Sequence, residues 1–146
     1  MEPTSLRDLT ADEAGDSVEA LLARANGVIA GLQNEFAEGT QARLDRLGEL
    51  LRGGWEAKAT REASVREMRR IAHDLKGEAG TFGFDLITEV ADLFGAYLRG
   101  TPVARQDREA VTGYIETLTF IWDERIEGTR DAAKPALLDR ILRLQT

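Results

Sequence analysis

Apolar residues in this chain recur at three- and four-residue steps and nowhere alternate one by one, so it carries the pattern of helices and none of a sheet. Val18, Leu21, Leu22, Ala25, Ile29, Leu32 and Phe36 make the first such stripe. Leu44, Leu47, Leu50 and Leu51 make a second, on a helix expected over about 34–52. A bend near Glu38-Gly39-Thr40 would let this helix continue the first. Gly53-Gly54 should stop it, because glycine takes the left-handed conformation that follows a helix. The third helix is expected over about 60–81, with Val65, Met68, Ala72, Leu75, Ala79 and Phe82 inward. The fourth spans about 84–98, with Leu86, Ile87, Val90, Leu93, Phe94 and Tyr97 inward. Thr101-Pro102 reads as a cap with proline at the first helical position. The fifth helix then runs to about 127, along Val111, Tyr114, Ile115, Leu118, Ile121, Trp122 and Ile126. A last amphipathic segment follows Pro135, with Leu137, Leu138, Ile141, Leu142 and Leu144 as its stripe.

The expected fold is therefore all-α: an antiparallel four-helix bundle with an additional N-terminal helix and a short C-terminal helix. The chain divides into a flexible lead over 1–12, a bundle over 13–128, and a C-terminal helix over 129–146 that packs on the bundle or serves association. Gly27 and Gly31 lie one turn apart in the first helix, and each costs roughly 1 kcal/mol against alanine. Close packing against a neighbouring helix is the expected reason for them. Trp55, just past a helix stop, is expected as a buried anchor, with an exposed partner contact as the alternative.

Several function classes drop out. With 146 residues, the chain is long enough for one domain with a real core. It has no cysteine, so it has neither disulfides nor thiolate metal sites. The formal charge is -7, which argues against nucleic acid as a partner. No apolar run reaches a membrane-span length, and no basic stretch precedes an apolar block near Met1, so a cytoplasmic protein is expected. There is no glycine-rich phosphate loop and no dinucleotide fingerprint. One histidine cannot build a His-rich metal site, and nothing points to a Ser-His-Asp device. A self-sufficient enzyme is not expected.

What remains is that single histidine, His73, in Ile71-Ala72-His73-Asp74-Leu75-Lys76-Gly77. At about 100° per residue it points roughly 130° away from the centre of the third helix's apolar face. Lys76 and Gly77 follow by three and four residues, so imidazole, ammonium and bare backbone share one side of the helix. Arg69 and Arg66 lie one and two turns before His73, and Arg70 three residues before it. These arginines form either a solvated face or an anion-attracting rim. Gly77 and Gly80 together cost about 2 kcal/mol of helix propensity. Gly77 lies on the outer face, where access for another protein's atoms explains it better than helix packing does. A neutral imidazole is a good nucleophile, and Lys76 could hold a dianionic phosphoryl group on it.

Ala72-His73-Asp74-Leu75-Lys76-Gly77, with Gly83 and Leu86 after it, resembles the H-x-x-K-G signature of histidine-containing phosphotransfer (HPt) domains. The resemblance implies a phosphocarrier rather than an enzyme. His73 would accept a phosphoryl group from the phospho-aspartate of a response-regulator receiver domain and pass it to another. Lys76 would stabilise that group and Gly77 would give steric access. Arg66, Arg69, Arg70, Gly80 and Phe84 would contact the partner. The chain would need no cofactor of its own, because Mg²⁺ comes with the receiver. Partners would be receiver domains and a hybrid histidine kinase, and neither nucleic acid nor membrane. A monomer is expected rather than a dimer. Many members of the family place Gln or Glu on the fourth helix to orient the inner imidazole nitrogen; that position is Gly95 here. Asp92 or Glu89, one and two turns earlier, could substitute. The alternative is a helical adaptor or dimerisation module, or a transfer-incompetent relative, that binds receivers without phosphotransfer.

Overall fold

The computed structural model describes residues 11–128 and Asp139, with side chains from Ser17 onward. Among the described residues the chain is all-helical, with no strand. Four α-helices follow one another: α1, Ala11–Gly54; α2, Lys58–Ala79; α3, Asp85–Gly100; and α4, Arg108–Asp123. Two 3-10 turns, Gly80–Phe82 and Val103–Arg105, lie between them. By contacts the chain forms two units, Met1–Ala37 and Glu38–Thr146. No helix among the described residues is long and apolar enough to cross a membrane.

The expected extra N-terminal helix is not a separate element. Residues 18–36 and 34–52 lie in the single 44-residue α1, without a break at Gly39. Each interior glycine weakens a helix by only about 1 kcal/mol, whereas a break needs the ring clash and lost donor of proline. No proline occurs between Pro3 and Pro102.

In the first unit, the expected stripe faces solvent except at Phe36, which is buried. Val18, Leu21, Leu22, Val28, Ile29 and Leu32 are 44–63% exposed. Among the described residues, Gly27 and Gly31 do not serve close packing, because a Cβ at either would meet nothing within 4 Å.

In the second unit, the core forms from the expected stripes. Leu44, Leu47, Leu50 and Leu51 are buried, with Val65, Met68, Leu75, Leu86, Ile87, Phe94, Tyr114, Leu118 and Trp122. α2 packs on α3, and α3 on α4. Phe94 stacks on Tyr114 at 5.2 Å between ring centroids. Trp122 donates its indole N–H to Gln41 at 3.1 Å, tying α4 to α1. Two bidentate pairs tie α1 to α2. Arg43 reaches Glu78 at 2.5 and 3.1 Å, and Arg46 reaches Glu67 at 2.7 and 3.0 Å. The Arg46 guanidinium holds the Glu67 carboxyl below its ordinary pKa, and the Arg70 charge adds to the effect.

The ends of the helices follow local chemistry. α1 stops at Gly54, where a Cβ would lie 2.0 Å from Ser64 Oγ. Trp55 is buried, as expected of an anchor, and Arg61 donates to its carbonyl at 2.8 Å. After α2, Gly83 turns the chain with φ 89°, a left-handed value that suits glycine. α4 begins at Arg108, not at Thr101, and two side chains account for the difference. Asp107 accepts from the Glu109 amide at 3.1 Å and caps the helix. Buried Gln106 donates to the carbonyls of Leu98 and Thr101 at 3.0 and 2.9 Å, which holds the preceding loop against the end of α3. The expected C-terminal helix, Asp139 apart, and residues 1–10 of the expected lead over 1–12 fall outside the described residues, while Ala11 and Asp12 lie in α1.

Candidate functional site

α2 buries Val65, Met68, Ile71, Ala72, Leu75 and Ala79, which leaves position 73 outside the stripe. His73 is exposed, and among the described residues it makes no hydrogen bond or ion pair. Its ring is therefore accessible from outside the chain.

Lys76 lies one turn on and is half-exposed, with its Nζ 2.9 Å from Asp92 Oδ1 on α3. Asp92, one of the two groups considered for orienting the imidazole, thus holds the ammonium instead. Glu89, the other, is half-buried on α3. The Thr88 hydroxyl donates to the Lys76 carbonyl at 3.3 Å and fixes this turn of α2 against α3.

Gly77 is exposed, and a Cβ there would meet nothing within 4 Å. Among the described residues, no packing requires glycine at this position. Gly80 differs: a Cβ there would come within 3.3 Å of Thr88 Oγ1, so a close approach inside the chain accounts for it.

The basic residues separate into two groups. Arg66 and Arg70 are exposed on α2. Arg69 is half-buried and donates to the Leu98 carbonyl at 3.2 Å, which ties α2 to the end of α3. The expectation that Phe84 faces a partner needs correcting. It is buried against Trp122, with ring centroids 5.2 Å apart, because the Gly83 turn directs it inward.

Gly95 is buried on α3. A Cβ there would lie 3.8 Å from Ala72 Cβ, on the residue preceding His73, and 2.9 Å from Arg99 Nη1. Arg99 folds back over the space that a side chain at 95 would take. Sequence reasoning missed Arg99 and Thr88. The signal for Arg99 was its spacing, one turn after a glycine that leaves the room. Nothing in the sequence marks Thr88. Among the described residues, no group of three His, Cys, Asp or Glu side chains could hold a metal ion.

The family model for the Hpt domain matches residues 31–143. With that match over most of its length, the chain belongs to the Hpt family. Hpt domains are phosphocarriers that work with receiver domains and kinases in two-component phosphorelays. No curated protein and no solved structure matches the chain.

Proposed function

We propose that His73 is the phosphoryl acceptor of a phosphorelay intermediate. A receiver domain brings an aspartyl phosphate to the α2 surface. A lone pair on the outer imidazole nitrogen attacks the phosphorus, the P–O bond to the aspartate breaks, and the aspartate carboxylate leaves. The reverse sequence delivers the group to a second receiver. Mg²⁺ and most of the electrostatic stabilisation come with the receiver. A hybrid histidine kinase is the proposed origin of the phosphoryl group, and the cytoplasm is the proposed compartment.

One observation carries the reading: the only histidine is exposed and, among the described residues, unengaged, with a lysine and an open glycine one turn away. The Lys76–Asp92 pair does not oppose it. A half-exposed ion pair contributes about 0–1 kcal/mol, so a dianionic phosphoryl group can take the ammonium from Asp92. Gly77 leaves backbone-level clearance for the visiting loop. Exposed Arg66 and Arg70 widen the positive rim, whereas Arg69 acts mainly as a tie between helices.

The test is transfer from a phosphorylated receiver domain with Mg²⁺. An acid-labile phosphoryl group on the wild-type chain, and none on His73→Ala, supports the reading. Equal labelling of both ends it. A second reading, a relative that docks receivers without transfer, draws on Gly95 at the family's Gln/Glu position and on Asp92 being engaged by Lys76. It predicts receiver binding that His73→Ala leaves unchanged and no labelling of either protein.

A further inference from the structure

The exposed stripe of α1 has no place in the phosphotransfer reading. Val18, Leu22, Ala25, Ile29, Leu32 and Phe36 follow one another at steps of four and three, two apolar positions in every seven residues. Leu21 and Val28, also seven apart, widen the seam. That period is the one by which helices pair along their length. Phe36 is already buried, but Val18, Leu21, Leu22, Val28, Ile29 and Leu32 are not. The Hpt match begins at residue 31, so five of these six exposed residues precede it. The stripe lies almost wholly outside the matched domain.

Charge selects the occupant. A chain of net charge -7 repels its own copy, so self-association needs a face without carboxylates. Residues 20–34 contain no Asp or Glu, and Arg24 is their only charged group. A membrane surface would instead want a polar face rich in Lys and Arg, which this segment lacks. The six exposed side chains offer on the order of 500 Å² per copy, so a symmetric pair would bury about 1,000 Å², the lower bound for a specific interface.

We propose that residues 18–32 of α1 pair with the same residues of a second copy, in a symmetric helix–helix seam. The same patch serves both copies, so the contact closes at two chains. This replaces the monomer expected from the sequence.

Sedimentation equilibrium of the full chain over a range of concentrations tests it. The proposal expects a mass that rises to twice that of the chain. Leu22→Glu with Ile29→Glu should weaken association by at least about a hundredfold, because it sets like charges against each other in the seam. Ala20→Glu, on the opposite face of the helix, should leave association intact. Circular dichroism shows whether each variant keeps its helices. A monomer at every concentration overturns the proposal, as does a dimer that survives the double substitution. Binding to anionic phospholipid vesicles without self-association also overturns it.

Discussion

The two ends of α1 carry the same three- and four-residue spacing and meet opposite fates. Leu44, Leu47, Leu50 and Leu51 are buried in the second unit, whereas Val18, Leu21, Leu22, Ile29 and Leu32 face solvent. Periodicity therefore says which side of a helix is apolar and nothing about whether this chain covers it. The glycines divide in the same way. Gly54 leaves no room for a Cβ, while Gly27 and Gly31 face open space.

The sharpest way to break this comparison is to truncate one leucine from each end. Leu47→Ala should lower stability by about 2–5 kcal/mol in urea unfolding, at any protein concentration. Leu22→Ala should change it by about 0.5 kcal/mol or less in dilute solution, with a growing loss as concentration rises. Equal losses at the two sites would show that the exposed stripe is packed within the monomer.

The glycines give the next largest effect. Gly54→Ala should cost about 1–3 kcal/mol, because the new methyl group must displace the Ser64 hydroxyl. Gly27→Ala should raise stability by up to about 1 kcal/mol through helix propensity alone. Opposite signs in thermal unfolding would sharpen the contrast.

The contrast between open and filled positions extends to α2. Gly77→Ala should raise stability by about 0.5–1 kcal/mol and still slow phosphoryl transfer, since the open space there is proposed to serve the partner. Lys76→Ala should slow transfer about tenfold with the unfolding midpoint unchanged, the loss of one charge-assisted contact. The smallest effect is expected from Asp92→Asn, which releases Lys76 and should speed transfer by about two- to threefold. Quench-flow transfer kinetics beside urea melts separate these outcomes.

Much of the fold was legible. The stop at Gly54 and the stripes of α2, α3 and α4 follow from spacing and from residues that end helices, but α4 ends at Asp123, short of the stop expected at Gly128. The outward placement of His73 and Gly77 follows from the same arithmetic. Other features were not legible, each for a physical reason. α1 runs through Gly27, Gly31 and Gly39 because a small propensity loss does not break a long helix. The start of α4 was misplaced because Thr101-Pro102 imitates a cap, whereas Gln106 and Asp107 act through hydrogen bonds that only the folded loop creates. Phe84 reads as a boundary residue, and the hand of the Gly83 turn decides that it points inward. The pairing of Lys76 with Asp92 depends on how helices meet, which periodicity does not encode.

A single histidine makes the central claim directly observable. In protein labelled with ¹⁵N-histidine, the imidazole nitrogens belong to His73 alone. On addition of a phosphorylated receiver domain with Mg²⁺, one ring nitrogen should shift and gain a coupling to ³¹P, and both changes should vanish on acid treatment. Ring signals that stay unshifted and uncoupled while the receiver is seen to bind would contradict the assignment of His73 as the acceptor.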